Sequence, residues 1–157
     1  MTELANKNAC ELLDADHLAV KHLFVEYARL ATPQDPGTAA DRKALAGRIC
    51  AELTVHAQIE EEIFYPALAP ALGKDRDLLD EAKAEHDQAR QLIARIEGLK
   101  EANDEMDALV VSLNQAVDHH VKEERDELFP KARASLDLAA LGQQLRKRQS
   151  ELEGRKA

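Results

Sequence analysis

One short motif occurs twice in this chain: a histidine, a glutamate four residues later and a proline ten residues after the histidine. The copies are His56, Glu60 and Pro66, and His120, Glu124 and Pro130. Residues four apart on an α-helix lie one above the other on the same face. If both copies are helical, each one directs an imidazole ring and a carboxylate at the same point. The motif therefore favours a helical fold that brings the two points together.

One further histidine stands ahead of each copy, His17 before the first and His86 before the second. The order of a lone histidine followed by His-x-x-x-Glu is thus repeated along the chain. Imidazole and carboxylate groups both bind first-row transition metals. The repeat therefore predicts a dinuclear metal site whose ligands are His17, His56, Glu60, His86, His120 and Glu124.

The composition is typical of a soluble helical domain. A chain of 157 residues can bury a sizeable core, and we expect a single domain over residues 1–157. Hydrophobic residues make up 45% of the chain and charged residues 32%, which argues against disorder. The bias toward alanine, leucine, glutamate, lysine, arginine and glutamine favours helices. The net charge of -9 argues against nucleic acid or an anionic membrane as a partner.

The sequence also favours a cytoplasmic protein. Residues 1–7 lack the charged and then apolar pattern of a signal peptide, and no apolar run approaches the ~20 residues of a membrane span. Cys10 and Cys50 are isolated, with no Cys-x-x-Cys pair. We expect both to be reduced thiols that pack as small hydrophobic groups.

Apolar residues recur with helical spacing in four long segments. This pattern predicts an all-α fold, an up-down-up-down four-helix bundle over about residues 9–132. The breaks between segments are expected at residues 32–37, at Pro66, Pro70 and Gly73, and at Gly98 and residues 103–104. Thr38 and Asp41 resemble a capping box that opens the second helix, the third helix is expected to start near Asp75 or Asp77, and Pro130 is expected to end the fourth.

An additional amphipathic helix is expected at the C-terminus, over about residues 136–153. Its apolar face holds Leu138, Leu141, Leu145 and Leu152. We expect it to cover one end of the bundle, and a dimer contact is the alternative. The cations of residues 146–148 are then expected to meet an acidic rim that includes Glu61, Glu62 and Glu127. The chain itself is expected to be a monomer or a weak homodimer.

Spacing alone does not identify the ligands, because His22 and Glu26, like His119 and Glu123, also form His-x-x-x-Glu pairs. The six predicted ligands each replace an apolar residue at a core-facing position. His22 lies beside the core-facing row, and His119 points roughly 100° away from His120. Both are therefore interpreted as solvated or flanking residues that at most support a ligand from behind.

A core histidine is most often a neutral side chain with a backbone partner, so the two core-facing glutamates carry the prediction. A buried carboxylate must be neutralised, paired or bound to a metal, and no core-facing lysine or arginine stands at this level. A protonated glutamate paired with histidine is the alternative. The acidic rim comprises Glu61, Glu62, Glu123 and Glu127, and Glu61 or Glu123 remains open as an additional ligand.

Four imidazoles and two carboxylates suit iron, manganese or zinc better than calcium or magnesium. Two carboxylates that can bridge, with two histidines for each ion, favour ions with five or six ligands. That geometry favours iron, then manganese, over tetrahedral zinc.

The arrangement resembles the hemerythrin-like HHE cation-binding family over residues 10–132. The matching motifs are Asp16-His17, residues 56–60, Glu85-His86 and residues 120–124. The resemblance implies that His17 and His56 bind one iron, and that His86 and His120 bind the other. It also implies that Glu60 and Glu124 bridge the two irons, with an oxo or hydroxo ligand between them.

The sequence departs from the oxygen-carrying members at two positions. They have a fifth histidine one turn beyond the third-helix ligand, where this chain has Arg90. They also space the last carboxylate five residues from its histidine, whereas Glu124 is four residues from His120. The expected ligands are therefore dioxygen, peroxide or nitric oxide, in oxygen or redox response or in peroxide removal.

Three other functions stay open at this point. The first is an iron-sensing or iron-handling module without turnover. The second is a ferritin-like oxidase, but those proteins use Glu-x-x-His on two helices. The nearest sequence here is the segment from Asp14 to His17, so this interpretation ranks low. The third is an interaction bundle that binds no metal.

Overall fold

The computed structural model describes residues 7–32 and 36–154, which form seven α-helices and no strand. The helices are α1 (Ala9–Ala31), α2 (Ala39–Ile59), α3 (Tyr65–Leu72), α4 (Asp77–Glu97), α5 (Asp104–Glu123), α6 (Phe129–Ser135) and α7 (Leu138–Gly154). Short 3₁₀ turns, Pro36–Thr38 and Gly73–Asp75, precede α2 and α4. The predictions about the N-terminal segment and part of the first loop fall on residues 1–6 and 33–35, which lie outside the described residues.

The four long helices α1, α2, α4 and α5 form the bundle. Helix α1 packs against α2 and α5, and α4 packs against α5 and α2. Short connections join α1 to α2 and α4 to α5, as in an up-down-up-down bundle. The predicted fold class and the additional C-terminal helix are confirmed.

Two asparagines fix where helices begin. Asn8 and Glu11 form a capping box at α1, in which each side chain accepts a 3.0 Å hydrogen bond from the other residue's backbone amide. Asn103 caps α5 by accepting a 2.9 Å bond from the amide of Met106.

The predicted capping box at Thr38 and Asp41 is wrong. The Thr38 hydroxyl makes no capping bond to the amides of α2. It donates to the carbonyl of Leu30 (3.0 Å) and accepts from Nε of Arg42 (3.0 Å). Arg42 is buried and needs acceptors, so it competes for this hydroxyl. Its Nη1 donates to Asp107 at 2.6 Å, which ties α2 to α5.

The helix ends predicted at Pro66 and Pro130 are also wrong. A π-helical segment, Glu60–Phe64, follows α2, and another, Glu124–Leu128, follows α5. The α-helical register restarts at α3 and α6, so each proline falls in a first turn, where its missing N–H costs little. Gly73 ends α3 with φ of 53°, which glycine adopts without strain.

The apolar core is divided into two clusters. One is built from the loop-side halves of the four long helices and contains residues such as Phe24, Ile49 and Leu113. The other joins the opposite halves to α3, α6 and α7 and contains residues such as Phe64 and Phe129. All six predicted metal ligands fall between these clusters along the sequence of each helix. Cys10 and Cys50 are free, buried thiols, and burial raises their pKa to about 11 and about 12.

Helix α7 packs along α1 and α2. Its buried leucines join the cluster that contains Val55 and Ile59. Gly142 makes this approach possible, since a Cβ there would lie 2.8 Å from the carbonyl oxygen of Lys7. Arg148 donates to Glu62 at 2.8 Å, a contact expected between these cations and the acidic rim. Among the described helices, none has the length and apolar character needed to cross a membrane.

Candidate metal centre

Four long helices each contribute one histidine, and the Nε2 atoms of these histidines converge. Nε2 of His17 and Nε2 of His56 lie 3.0 Å apart and form the first pair. Nε2 of His86 and Nε2 of His120 lie 3.1 Å apart and form the second pair. All four rings are buried. The positions chosen from the helical phase are therefore brought together, and their role as ligands stays a prediction.

Two glutamates connect the pairs. Oε1 of Glu124 lies 3.2 Å from Nε2 of His17, and its Oε2 lies 3.3 Å from Nε2 of His120. Oε1 of Glu60 lies 3.3 Å from Nε2 of His56 and 3.0 Å from Nε2 of His86. Each carboxylate thus reaches both pairs, which is the placement required of a bridging ligand.

A carboxylate stands behind each histidine. Nδ1 of His56 lies 3.2 Å from Asp16, Nδ1 of His86 lies 2.6 Å from Glu61, and Nδ1 of His120 lies 2.8 Å from Glu85. Nδ1 of His17 lies 3.4 Å from Asp14 and has no hydrogen bond among the described residues. A carboxylate behind Nδ1 holds a proton there and leaves the lone pair of Nε2 for a metal, as in many metalloproteins.

The buried charges favour a cation at this point. Glu60 and Glu124 are 0% exposed. Burial opposes ionisation of Glu60, but His56 and its hydrogen bonds outweigh burial and hold the pKa of Glu60 well below its usual range. Burial likewise opposes protonation of His56 and His120, but the facing glutamates raise the pKa of both well above the usual range. Negative charge at the centre thus attracts positive charge.

The donor atoms also fit metal ions in their number and spacing. Oε2 of Glu60 and Oε1 of Glu124 have no hydrogen-bond partner among the described residues, although both atoms are buried. Two groups of donors, one around the first pair and one around the second, each lie close enough to hold an ion. Two nitrogens bound at about 2.1 Å and separated by about 3.0 Å subtend roughly 90° at the metal. That angle fits five or six ligands better than a tetrahedron.

Tyr65 is a residue of this site that the sequence reasoning missed. Its hydroxyl donates to Oε2 of Glu124 at 2.8 Å and lies 3.4 Å from Nε2 of both His86 and His120. Burial and the two glutamates raise the pKa of Tyr65 well above its usual range, so the hydroxyl keeps its proton. The backbone amide of Tyr65 bonds to the carbonyl of Glu60, five residues earlier, because the segment between them is π-helical.

The second copy has Phe129 at the position of Tyr65. Its amide bonds to the carbonyl of Glu124 in the same way. The Phe129 ring lies parallel to His17, with 6.3 Å between ring centroids. The sequence did carry a signal for both residues, because an aromatic residue followed by proline comes five residues after each glutamate.

The family model described as the hemerythrin HHE cation binding domain matches residues 8–132, most of the chain. The chain belongs to this family. The recognition made from the motifs is therefore confirmed. A capacity to bind metal cations follows at the level of the family, together with the two donor groups of this HHE domain.

Two similar proteins add detail. The crystal structure of a hemerythrin HHE cation binding domain-containing protein from Mycobacterium kansasii matches with a TM-score of 0.77 and 25% sequence identity. The match covers 95% of this chain and 89% of that chain. A DNA nickase from Nostoc sp. (strain PCC 7120) is 28% identical over 131 residues, which cover 82% of this HHE domain chain and 34% of the nickase. The chain therefore spans about a third of that relative.

The flanking histidines of this HHE domain differ from each other. His22 is exposed. His119 is exposed too, but its Nε2 lies 3.2 Å from Glu85 and 3.1 Å from Glu123. Glu85 is the residue that holds Nδ1 of His120, so His119 stands behind a predicted ligand.

The acidic rim is divided among several partners. Glu61 holds His86 and accepts from Arg90 at 2.8 Å, so both of these contacts point away from the donor atoms of the centre. Arg90, which replaces the fifth histidine of the oxygen carriers, thereby supports a ligand indirectly. Glu62 pairs with Arg148.

A cavity of about 40 Å³ lies beside the centre of this HHE domain. Its wall includes all four histidines and apolar side chains such as Leu53, Ile93 and Val117. A larger groove of about 430 Å³ lies at the opposite end of α1 and α5 and contains none of the six predicted ligands. The small cavity is therefore the space available to a molecule that reaches the metals.

Proposed function

We propose that this protein is a non-haem di-iron protein that binds dioxygen, nitric oxide or peroxide, in oxygen or redox response or in peroxide removal. The observation that supports it most is the convergence of two histidine pairs on two shared, buried glutamates. In this proposal His17, His56, Glu60, His86, His120 and Glu124 hold two irons, with a bridging oxo or hydroxo ligand. The bound irons would supply positions for a small ligand and a change of oxidation state.

Iron fits the donor set better than the alternatives. The close separation of the Nε2 atoms within each pair disfavours tetrahedral zinc. Buried carboxylates that reach both pairs suit ions that accept several oxygen donors. Manganese satisfies the same requirements and is the second choice.

The size of the cavity limits the ligand. A space of about 40 Å³ holds a water molecule or a species of two or three atoms but excludes a larger organic substrate. Its largely apolar wall keeps bulk water from the histidine nitrogens. This observation is why we propose diatomic molecules and peroxide as the ligands.

Tyr65 is the residue placed to manage a proton. Its hydroxyl faces the second histidine pair and donates to Glu124. Because its pKa is raised, the hydroxyl acts as a hydrogen-bond donor at neutral pH. The first pair faces Phe129 instead, which has no proton to offer.

An iron-sensing or iron-handling module is the second candidate. The six residues come from four long helices and two π segments, so metal occupancy would strengthen contacts across the whole bundle. A sensor requires that kind of coupling. The activity named for the Nostoc relative is not part of either proposal, because a net charge of -9 repels the phosphate backbone.

Metal analysis of freshly purified protein, together with its optical spectrum, tests the proposal. We expect two irons per chain and an absorption band that changes when nitric oxide is added. Protein that carries only zinc, or no metal after growth in iron-rich medium, contradicts it. Oxygen release from hydrogen peroxide, measured with an electrode, distinguishes peroxide removal from iron sensing.

A further inference from the structure

A group of three side chains on the outer face of α4 and α5 resembles a metal site in its own right. We call Glu85, His119 and Glu123 the outer cluster. Nε2 of His119 lies 3.2 Å from Oε2 of Glu85 and 3.1 Å from Oε1 of Glu123. One ligand atom from each residue falls within 4.8 Å of the others. His119 is 66% exposed, so it adopts this position although solvent leaves it free to turn away.

The carboxylates of the outer cluster lack a cationic partner. Among residues 7–32 and 36–154, the ion pairs of Glu85 and Glu123 are made with histidines alone. The two carboxyl groups approach each other closely enough to share a proton. Glu81 adds negative charge nearby, and Glu127 lies along the same face. A divalent cation would neutralise this charge better than one exposed imidazole does.

The chain contains a comparison for this geometry. His22 and Glu26 have the same spacing as His119 and Glu123. Glu26, however, is paired with Arg29 on the same helix. His22 and Glu26 also appear in none of the groups of possible metal donors that the described residues form. Spacing alone therefore does not produce the outer cluster, and Glu85 from the neighbouring helix is what completes it.

A narrow cleft leads from the outer cluster to the buried centre. Its wall includes Glu85, Glu123 and Glu127 on the outside and His120 and Glu124 on the inside. Glu85 belongs to both places, since its Oε2 faces His119 and its Oε1 holds Nδ1 of His120 at 2.8 Å. Such a cleft, lined by one sign of charge, concentrates cations at its mouth.

We propose that Glu85, His119 and Glu123 form a second, solvent-facing site for a divalent transition-metal cation, through which metal reaches the buried centre. One imidazole with two carboxylates suits Fe²⁺ or Mn²⁺ better than Ca²⁺, which prefers oxygen donors alone. The existence of the site is independent of the proposed function. Its role in supplying the centre rests on that function.

A titration with Mn²⁺ tests whether the outer cluster binds a cation. Mn²⁺ is added to iron-loaded protein, and the electron paramagnetic resonance signal of the free ion is recorded. We expect the parent protein to bind one Mn²⁺ more than Glu123→Gln, which removes a charge without touching His120. His22→Ala is the matched control and should bind as the parent does. Equal titrations of parent and Glu123→Gln would overturn the site.

The rate of metal uptake tests the supply role. Metal-free protein is mixed with Fe²⁺ without oxygen, and filling of the centre is followed by absorbance. We expect His119→Ala and Glu123→Gln to fill about tenfold more slowly than the parent and His22→Ala. Their final iron content and spectrum should equal those of the parent. Unchanged rates would overturn the supply role, and a reduced final content would show instead that these residues hold metal in the centre.

The two experiments separate this inference from the proposed function. If the parent centre takes up no metal, the proposed function fails, and the same Mn²⁺ titration is then made on the metal-free protein. A difference between parent and Glu123→Gln in that titration supports the outer site on its own. Filling of the centre with no difference in either experiment leaves the proposed function standing and removes the outer site.

Discussion

The two copies of the motif form similar halves of the centre in different surroundings. Each half contributes two histidines and one glutamate, followed by a π segment and an aromatic residue. The aromatic residue of each copy crosses to the other half: Tyr65 faces the second pair, and Phe129 lies beside His17. The second pair therefore has a hydroxyl proton nearby, and the first pair has only a hydrocarbon ring.

The outer faces of the two halves differ more. The residues directly before His56 and Glu60 are Val55 and Ile59, which are 4% and 0% exposed and are covered by α7. The corresponding residues of the second copy are His119 and Glu123, which face solvent. The comparison teaches that one ligand pattern can support one sealed half and one open half. We therefore expect two bound ions to differ in access and reactivity.

The largest expected effect separates neighbouring histidines of the open half. His120→Ala removes a predicted ligand and should release metal from the second pair. His119→Ala removes a side chain that only stands behind that ligand, so its equilibrium metal content should stay at the parent value. Metal stoichiometry per chain, measured after dialysis, checks both. Retention of metal by His120→Ala together with its loss from His119→Ala would reverse the assignment on α5.

Removing the metal should destabilise both halves together. Metal that binds only the folded state adds about 4 kcal/mol to the free energy of unfolding at a thousandfold excess over Kd. Chelation also leaves Glu60 and Glu124 buried without a cation. Thermal unfolding of chelated and metal-loaded protein measures the difference. Equal melting temperatures would show that the six residues bind no metal.

The cover over the first half can be loosened at Gly142. A Cβ at this position would lie 2.8 Å from the backbone of Lys7, so Gly142→Ala should push α7 away and cost about 1–3 kcal/mol. Gly47→Ala is the control, because nothing lies within 4 Å of its new Cβ, and it should stabilise α2 by about 0.5–1 kcal/mol. Denaturant unfolding measures both. A Gly142→Ala protein as stable as the parent would mean that α7 does not pack tightly.

The smallest expected effect comes from making the two aromatic positions alike. Tyr65→Phe removes the hydrogen bond to Glu124 and should cost about 1 kcal/mol of stability. It should also change the absorption spectrum of the metal-loaded protein. Tyr27→Phe is the control, since Tyr27 donates to Asp107 at 2.6 Å, far from the centre along α1. A spectrum altered equally by both substitutions, or by neither, would remove Tyr65 from the site.

The sequence predicted the parts of this structure that follow from a regular helical period. The four histidines and two glutamates were found because polar groups at core-facing positions are costly unless they are satisfied. Tyr65 escaped the same reasoning, because residues five apart on an α-helix point roughly 140° away from each other. The prediction failed at Pro66 for the same reason, since a regular helix was assumed there.

Other features needed the three-dimensional contacts. Asp16 and Glu85 directly precede histidines, yet each holds the histidine of a different helix, His56 or His120. Nothing in a single helix reveals such a pairing. Thr38 has the spacing of a helix cap, but the buried Arg42 takes its hydroxyl. Burial of that arginine depends on Asp107, which lies 65 residues away in the chain.

The two π segments make the centre sensitive to chain length as well as to residue type. Each segment accommodates one residue more than a regular helical turn. Deleting a single codon between Glu60 and Tyr65 would restore the regular ladder and rotate everything beyond it by about 100°. His56 and Glu60 would keep their places, while Tyr65 would leave Glu124. A one-residue insertion or deletion, which ordinarily disrupts a helix, is here a genetic step that changes the surroundings of the metal ligands without changing the ligands themselves.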